Sequence, residues 1–258
     1  MASAGISSLF SLKDRVAIVS GAGRGTGRGI ALEMAKAGAD VVVAARTAEA
    51  IESVAAEIRH LGRKALAVPT DVRVSEQVAN LAKRALEEFR RIDILVNNVG
   101  TSFLKPALEL SERGFDSLLR ENLTGCFLCS KAVAEAMIKQ GKGSIVNIAS
   151  TEGLRAGPTN PAYGAAKAGV INLTQSLAVE WAPYHIRVNT VVPGFIETAF
   201  PYSLEVPHLR DLFDRVPLKR AAKIEEIAAA VIYLASDAAD YVTGAMIVID
   251  GGMTCLLG

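Results

Sequence analysis

The sequence lacks the features of a membrane-spanning or nucleic-acid-binding protein. Its longest uninterrupted apolar run, residues 227–235, is far shorter than the ~18 residues that a spanning helix needs. Neither charge dominates, because 28 Lys and Arg residues face 27 Asp and Glu residues, so no large field favours nucleic acid or a membrane surface. Residues 1–15 have neither the basic nor the apolar region of a signal peptide, which predicts a cytoplasmic protein.

Cysteine and histidine are scarce, which argues against disulfides and metal sites. Three cysteines, Cys126, Cys129 and Cys255, are an odd number and cannot form a closed disulfide framework. Cys126 and Cys129 form a CxxC pattern, but their segment has the apolar spacing of a helix, so we expect core packing instead of zinc or redox chemistry. The three histidines are scattered without ligand spacing, and we expect no metal site.

What the sequence does contain is a regular alternation of short β-branched runs with longer segments whose apolar residues are three and four positions apart. Strands that are apolar on both faces predict a parallel sheet covered by helices on each side. We therefore expect one doubly wound α/β domain at residues 12–258, with a seven-stranded, mainly parallel sheet, after a flexible tail at residues 1–11. The predicted strands are residues 15–20, 40–45, 64–68, 92–97, 144–149, 186–192 and 245–250.

Glycines alternate directly after the first predicted strand, at Gly21, Gly23, Gly25 and Gly27. Free backbone N–H groups at a helix start attract an anion, and glycines let a phosphate approach the chain closely, so a pyrophosphate suits this turn. The common GxGxxG fingerprint matches in no frame, whereas GxxxGxG matches at Gly21, Gly25 and Gly27. A tight strand-to-helix turn would also use glycine, so the pattern alone leaves both interpretations open.

Several further motifs accompany this turn. They are NNVG at residues 97–100, Asn122, Ser150, YGAAK at residues 163–167 and PGFIET at residues 193–198. Together with SGAGRGTG they resemble the classical short-chain dehydrogenase/reductase family over almost the whole chain. The resemblance implies a Rossmann-like fold, hydride transfer between nicotinamide and a carbonyl or alcohol carbon, and a homotetramer. The sequence departs slightly from the family motifs at Ser20, Thr26 and Val99.

Tyr163 and Lys167 are four residues apart in a helical pattern, so their side chains lie on one helix face. A free tyrosine titrates near pH ~10 and is a poor base at neutral pH. An ammonium about 4 Å away would favour the phenolate by up to ~4 kcal/mol, so we expect Lys167 to lower the pKa of Tyr163. A lone YxxxK pattern is usually a solvated helix face. Ser150, thirteen residues earlier at the carboxyl end of a predicted strand, favours a catalytic site.

The resemblance gives each of four residues a catalytic role. Tyr163 would donate or accept the proton, Lys167 would lower its pKa and hold the nicotinamide ribose, and Ser150 would position the carbonyl oxygen. Asn122 would anchor a water that links Lys167 to solvent; alternatively, its amide satisfies backbone groups inside a helix.

The resemblance also implies where the cofactor lies. Asp71 and Val72 would flank adenine, although Asp71 could equally cap the helix that follows. Pro193 and Gly194 either contact the cofactor or only form a turn after a strand. The implied set further includes Tyr163, Lys167, the four glycines and Thr26, Asn98, Gly100, Ile196 and Thr198.

Two arginines predict which dinucleotide is used. An NAD site normally has a carboxylate at the end of the second strand for the ribose hydroxyls, but the sequence has Ala44, Ala45 and Arg46 there. The planar fork of Arg46 suits a 2′-phosphate. Arg24, a cation near a helix start, is mildly unfavourable unless an anion lies beside it. We therefore expect NADP(H) to be preferred, with NAD(H) possible, and interpret Arg28 as a surface charge.

Residues 194–218 are the least regular region and form a candidate lid over the substrate. Phe200 and Tyr202 flank a proline and are predicted to roof the nicotinamide, favouring alicyclic, aromatic or medium-chain carbonyl compounds over sugars and hydroxy acids. Glu152 and Arg155 would add a polar substrate contact, or be solvated in their loop. Core packing is expected for the helical face formed by Leu209, Leu212 and Phe213.

The sequence leaves three functions open. The first is an NADPH-dependent carbonyl reductase or alcohol dehydrogenase that acts on small to medium apolar substrates. The second is a 3-oxoacyl thioester reductase whose partner is acyl carrier protein; such enzymes need cations near the site, and Tyr184 and His185 lie where one would be expected. The third is a dinucleotide-sensing protein without chemistry, which the intact Asn122, Ser150, Tyr163 and Lys167 argue against.

We also predict assembly into a homotetramer. The segments at residues 111–139 and 160–181 carry apolar residues on more than one helix face, which exceeds what packing on a sheet requires. The carboxyl end, residues 246–258, would form a second contact. The apolar residues in question include Phe127, Leu128, Val133, Val170, Ile171 and Leu177.

Overall fold

The computed structural model describes residues 5–198 and 205–256. The strands are β1 (Val16–Ser20), β2 (Asp40–Ala45), β3 (Ala65–Pro69), β4 (Ile94–Asn97), β5 (Gly143–Ile148), β6 (Ile186–Pro193) and β7 (Met246–Ile249). The α-helices are α1 (Gly25–Lys36), α2 (Ala48–His60), α3 (Ser75–Phe89), α4 (Glu112–Leu119), α5 (Gly125–Gln140), α6 (Pro161–Trp181), α7 (Pro207–Asp214) and α8 (Ile224–Ala235). None of these helices is both long and apolar enough to cross a membrane.

The seven strands form one sheet in the order β3-β2-β1-β4-β5-β6-β7, and every ladder is parallel. The predicted α/β class is confirmed, and the sheet is wholly parallel where a mainly parallel one was expected. Strands β2 and β3 are added on one side of β1, and the chain then crosses back so that β4 pairs with the other side of β1. Ligands of open α/β sheets bind in the crevice at such a switch point, outside the carboxyl ends of the strands.

Alternate residues of β1 face opposite layers of helices, as the pleat of a strand requires. Ala17 and Val19 pack in a cluster with residues of α1, α2 and α8. Val16 and Ile18 pack in the other cluster, with residues of α3, α5 and α6. Since both faces of the sheet are covered, the central strands β1, β4, β5 and β6 are buried at every position.

Long-range contacts join the first and last parts of the described chain. Arg15, directly before β1, forms a bidentate ion pair with Asp237, at 2.9 Å for the shorter contact. Gly29 on α1 lies against Ile224 on α8, where an added Cβ would overlap the isoleucine side chain. The first helix therefore packs directly on the last one.

The cysteines of the CxxC pattern pack in the core, as predicted. Cys126 and Cys129 on α5 are buried free thiols, and burial raises the pKa of each to about 12. Among residues 5–198 and 205–256, no cluster of three or more His, Cys, Asp or Glu side chains could hold a metal ion.

The amino-terminal segment is more ordered than a flexible tail. Residues Ile6–Phe10 form a 3₁₀ turn, and Phe10 packs against Tyr233 on α8 with ring centroids 6.0 Å apart.

Most of the apolar residues that suggested an interface on α5 and α6 are part of the core. Val133, Val170 and Leu177 are buried, whereas Phe127 is 39% exposed and Val179, near the end of α6, is 79% exposed. The outer faces of these helices are thus less apolar than expected.

Candidate active site

The glycine turn between β1 and α1 has a backbone that only glycine accommodates without strain. Gly21 and Gly25 have φ angles of +67° and +55°, in the left-handed region that favours glycine. A Cβ on Gly27 would overlap the carbonyl oxygen of Gly21 and the amide of Asn98. The helix then starts at Gly25 without a side-chain cap from Arg24, which leaves its first N–H groups free for an anion.

A cleft of about 1000 Å³ opens in front of this turn, and its shape and lining suit an extended dinucleotide. Gly23 forms part of the floor, where an added Cβ would lie 3.3 Å from that of Ala50. The hydroxyls of Thr26 and Thr198 face each other at 3.3 Å. Of the residues predicted to bind cofactor, those lining this cleft are Gly21, Gly23, Arg24, Gly25, Thr26, Gly27, Arg46, Asp71, Val72, Asn98, Gly100, Tyr163 and Thr198.

The remaining predicted cofactor residues line a second cavity of about 380 Å³. These are Lys167, Pro193, Gly194 and Ile196. The two cavities share Thr26, Asn98, Gly100, Tyr163 and Thr198. The structure therefore brings the whole predicted set to one continuous groove at the carboxyl ends of the strands.

The charged side chains that line the cleft differ in whether they have an ion-pair partner. Both carboxylates that line it, Asp71 and Glu121, form ion pairs with Arg73, at 2.6 and 3.9 Å. Arg24 and Arg46 are exposed at the cleft and have no ion-pair partner in the part of the chain that the structure describes. The cleft thus offers the unpaired Arg46 at the end of β2, where NAD enzymes place an acid, and a second unpaired cation, Arg24, in the glycine turn.

Arg28, by contrast, pairs with Glu57 at 2.5 Å and lies outside the cleft lining. Its interpretation as a surface charge agrees with this position.

Asp71 does not cap the following helix. That helix, α3, begins at Ser75 with Val74 as its N-cap, while the carboxylate of Asp71 accepts from the backbone and side chain of Arg73. The hydrogen bonds from Arg73 hold the pKa of Asp71 below its usual value, against the effect of burial, and Arg46 contributes to the lowering. The capping alternative is therefore wrong.

The three side chains with the strongest catalytic motif meet where the two cavities join. Helix α6 begins at Pro161, a favourable residue for the first turn, and brings Tyr163 and Lys167 to the same face. Ser150 follows β5 directly, and its hydroxyl accepts from the backbone N–H of Glu152 at 3.2 Å. Ser150 also hydrogen-bonds the phenol of Tyr163.

The pKa of Tyr163 does not follow the prediction. Burial of the phenol raises its pKa to about 12; the hydrogen bond with Ser150 opposes this shift, and the Glu152 carboxylate adds to it. The ammonium of Lys167 donates to the carbonyl oxygen of Ile148 at 2.9 Å and lies 5.6 Å from the centroid of the tyrosine ring. The expected lowering is wrong here because burial raises the pKa of Tyr163, while the ammonium of Lys167 is directed at a carbonyl group.

Lys167 is itself perturbed. Its side chain is buried, and burial lowers its pKa to about 8. The ammonium is thus charged at neutral pH but titrates only slightly above it.

Asn122 lies in a π-helical turn, Arg120–Thr124, between α4 and α5. Its amide nitrogen donates to the carbonyl oxygens of Thr101 and Leu118, at 2.9 and 3.0 Å, as the backbone alternative predicted. Its buried Oδ1 has no hydrogen-bond partner among the described residues. A Cβ on Gly100 would meet this oxygen at 2.9 Å and the Lys167 ammonium at 3.0 Å, so the bare glycine keeps the space between the two groups open.

The substrate end of the groove contains a polar network that the sequence did not predict. Asn160, at the N-cap of α6, donates to Glu152 at 2.9 Å and accepts from Ser102 at 3.0 Å. Burial raises the pKa of Glu152, against the effect of the Asn160 hydrogen bond. An Asn before Pro161 signals a helix start, but no local pattern indicates its contact with Glu152.

The candidate lid is described in part. Phe200 and Tyr202 lie outside the described residues. Leu209 and Leu212 on α7 are half-buried and line the substrate cavity, so their predicted core role is wrong. Leu209 and Leu212 lie on one helix face as expected, but that face lines the cavity. Phe213 packs edge-on against Phe195, with ring centroids 5.6 Å apart.

The chain matches known proteins over nearly its whole length. A family model described as enoyl-(acyl carrier protein) reductase matches residues 21–254. A crystal structure of a short-chain type dehydrogenase/reductase from Mycobacterium marinum has 39% sequence identity and a TM-score of 0.91, and the match covers 98% of this chain and 100% of that one. The chain belongs to the short-chain dehydrogenase/reductase family.

Curated relatives of this short-chain dehydrogenase/reductase act on different substrates. It is 39% identical to 2-dehydro-3-deoxy-D-gluconate 5-dehydrogenase of Escherichia coli (strain K12), over 96% of this chain and 98% of the relative. It is 41% identical to a 3-oxoacyl-[acyl-carrier-protein] reductase of Synechocystis, over 95% and 99%. It is also 41% identical to cis-4-hydroxycyclohexanecarboxylate dehydrogenase of Sinomonas cyclohexanicum, over 94% and 98%.

A solved relative identifies the type of cofactor. The crystal structure of a gluconate 5-dehydrogenase from Burkholderia cenocepacia J2315, in complex with NADP and tartrate, has 35% identity and a TM-score of 0.91, covering 96% of this chain and 98% of that one. Our short-chain dehydrogenase/reductase is therefore an enzyme, a nicotinamide-dependent oxidoreductase of carbonyl or alcohol groups.

Proposed function

We propose that this enzyme is an NADP(H)-dependent carbonyl reductase or alcohol dehydrogenase for small to medium apolar substrates. The observation that carries the proposal is the meeting of Ser150, Tyr163 and Lys167 at the point where the dinucleotide cleft joins a cavity with apolar walls. The apolar part of that cavity includes Leu104, Phe195, Leu209, Leu212 and Met253.

The unpaired arginines support the choice of NADP(H). In the proposed complex, the glycine turn holds the pyrophosphate, and Arg24 and Arg46 hold the 2′-phosphate. Asp71 and Val72 flank the adenine. NAD(H) lacks the phosphate that these two cations would bind, so we expect it to be used less efficiently.

The nicotinamide end has its own proposed contacts. Asn98 and Gly100 line the groove, and Lys167 holds the ribose. The carboxamide and the nearer phosphate meet the segment that follows β6, at Pro193, Gly194, Ile196 and Thr198.

The side chains of the enzyme handle the proton. When bound, the nicotinamide supplies or accepts the hydride at the carbonyl carbon. In the direction of reduction, Ser150 donates a hydrogen bond to the substrate oxygen. Tyr163, whose high pKa keeps it protonated at neutral pH, transfers its proton to that oxygen as a general acid. The charged Lys167 and the free oxygen of Asn122 continue the path toward solvent.

A 3-oxoacyl thioester reductase is the second candidate. The specific observation in its favour is the Synechocystis relative that reduces 3-oxoacyl groups on acyl carrier protein, at 41% identity. All motifs of the site are compatible with that reaction, and the two proposals differ only in the substrate.

For the assembled protein we keep the homotetramer and the cytoplasm as proposals. The exposed Phe127 on α5 and Val179 on α6 support one contact surface. The other is supported by β7, an edge strand of the sheet that exposes Met246 and Val248, since an unpaired edge is a template for pairing with another chain.

The test is an activity screen of substrates and cofactors with purified protein, in which the absorbance of the nicotinamide reports turnover. We expect faster turnover with NADPH than with NADH, and with alicyclic ketones over sugars. Faster turnover of a 3-oxoacyl carrier-protein thioester would support the second candidate instead. No turnover of any ketone or thioester would refute both.

A further inference from the structure

A second compartment, which none of the catalytic residues lines, adjoins the substrate cavity. The cavity at Ser150 and Tyr163 measures about 380 Å³ and the second compartment about 360 Å³. Each lies at the lower end of the ~300 to 1,000 Å³ of small-molecule sites. Both are lined by Thr151, Glu152, Leu209, Leu212 and Met253. The two cavities are therefore neighbours, and an elongated molecule would pass between these shared side chains to occupy both.

The walls of the second compartment are mainly apolar, apart from Thr151, Thr254 and its charged groups. Three charged side chains line it: Glu152 on the shared wall, and Arg155 and Arg215. The two arginines reach it from different elements, because Arg155 follows β5 and Arg215 is the C-cap of α7. Two cations thus face a space bounded by leucines and by a carboxyl group whose pKa is raised.

Both guanidinium groups keep free hydrogen-bond donors. Arg155 donates to the carbonyl oxygens of Leu154 and Thr254 at 3.3 and 3.4 Å, which are long contacts. Neither arginine has an ion-pair partner within residues 5–198 and 205–256. Both arginines are exposed, and Arg215 gains some stability from the helix C-terminus, but that does not account for two arginines lining the same compartment.

We propose that the second compartment binds the carboxylate of a substrate whose carbonyl or hydroxyl group is held at Ser150 and Tyr163. This inference rests on the proposed function, which fixes the reacting end. The substrate class is an oxo or hydroxy carboxylic acid with an alicyclic or medium-chain skeleton, since the shared walls at Leu209 and Leu212 are apolar. It revises the expectation that disfavoured hydroxy acids: an acid group far from the carbonyl leaves the apolar contacts intact.

A matched pair of substrates isolates the charge. The probes are 4-oxocyclohexanecarboxylate and its methyl ester, which differ in the carboxylate and share the ketone. Hydrogen bonds to a charged group contribute enough for at least about a tenfold effect, so we expect kcat/KM with NADPH to be at least about tenfold higher for the acid.

Removing the two cations should abolish this preference. In the double variant Arg155→Gln with Arg215→Gln, we expect KM for the acid to rise about tenfold, with kcat and the kinetics of the ester unchanged. Arg210→Gln is the matched control, because Arg210 lies on the same helix α7 and lines neither compartment. Thermal unfolding of each variant reports any loss of stability.

Calorimetry keeps this inference separate from the proposed function. Binding of cyclohexanecarboxylate, which has no reacting group, should weaken about tenfold in the double variant and stay unchanged in Arg210→Gln. If no ketone is turned over, the proposed function fails and this binding result alone decides the inference. Three results would overturn the inference. The first is equal kinetics for the acid and the ester, and the second is unchanged acid binding in the double variant. The third is that the double variant lowers kcat/KM more for a 3-oxoacyl-coenzyme A thioester than for the acid.

Discussion

At the scale of single residues, the surroundings of Tyr163 favour its proposed role as a general acid in reduction. Burial is the main cause of its raised pKa, about 12, and the nearby Glu152 carboxylate adds to it. A phenol with this pKa holds its proton throughout the neutral range, so it is prepared to act as an acid. Oxidation of an alcohol needs the opposite form, which is scarce at neutral pH.

The substitution Tyr163→Phe removes only the ionisable oxygen. We expect kcat to fall by at least about 10²-fold, the usual contribution of general acid or base catalysis, while the dissociation constant for NADPH stays within about twofold. Steady-state kinetics and a fluorescence titration of the cofactor measure the two effects. Retention of more than about half the activity would remove Tyr163 from the mechanism.

The direction of the pKa shift also predicts a pH dependence. Because the pKa of Tyr163 is raised, the phenolate fraction grows with each unit of pH in the alkaline range, and the rate of alcohol oxidation should grow with it. Glu152→Gln removes a carboxylate that raises this pKa. The pH–rate profile of the variant for alcohol oxidation should therefore rise at lower pH than that of the wild type. Rate profiles of both proteins check this, and identical profiles would contradict the assigned influence of Glu152.

The spacing of Tyr163 and Lys167 predicted that both lie on one helix face, because a helix places positions four apart on one face; Ser150 was predicted from the family motifs and its place after a strand. It was not enough to predict their ionisation. The pKa of Tyr163 depends on burial, and the ammonium of Lys167 is directed at the carbonyl of Ile148. Both are properties of the packed tertiary structure that no local pattern encodes.

At the scale of elements, we propose that the end of β2 determines the choice of cofactor. In the double variant Ala45→Asp with Arg46→Leu, a carboxylate would repel the 2′-phosphate and accept hydrogen bonds from ribose hydroxyls. We expect the ratio of kcat/KM for NADH to that for NADPH to rise at least about tenfold. The control is Arg28→Leu, which removes a cation of α1 that pairs with Glu57 and should leave the ratio unchanged. Wild-type protein that uses both cofactors equally would defeat the prediction.

The strands were predicted to within a few residues because β-branched runs bounded by turns have few alternative structures. Helix α7 shows where such reasoning stops. The spacing of its apolar residues correctly grouped Leu209 and Leu212 on one helix face. An apolar face can, however, either pack in a core or line a cavity. Only the position of α7 over the carboxyl ends of the strands decides between the two.

At the scale of the whole molecule, the exposed apolar surfaces predict the assembly. Light scattering should give a mass about four times the 27.2 kDa of one chain. Val179→Lys places a charge on the outer face of α6, where it would be buried unpaired, so we expect smaller species. Leu61→Lys, at the end of α2 and remote from both proposed surfaces, should remain tetrameric. A monomeric wild-type protein at micromolar concentration would contradict the proposal.

The packing of α1 on α8, together with the ion pair between Arg15 and Asp237, has a consequence for biosynthesis. The nucleotide-binding half is complete in sequence long before α8 leaves the ribosome, yet one side of its first helix has no partner until then. At about 5 to 20 residues per second, the nascent chain exposes that apolar side for several seconds. We expect newly made, unfinished chains to be the form that chaperones bind and proteases cleave most readily.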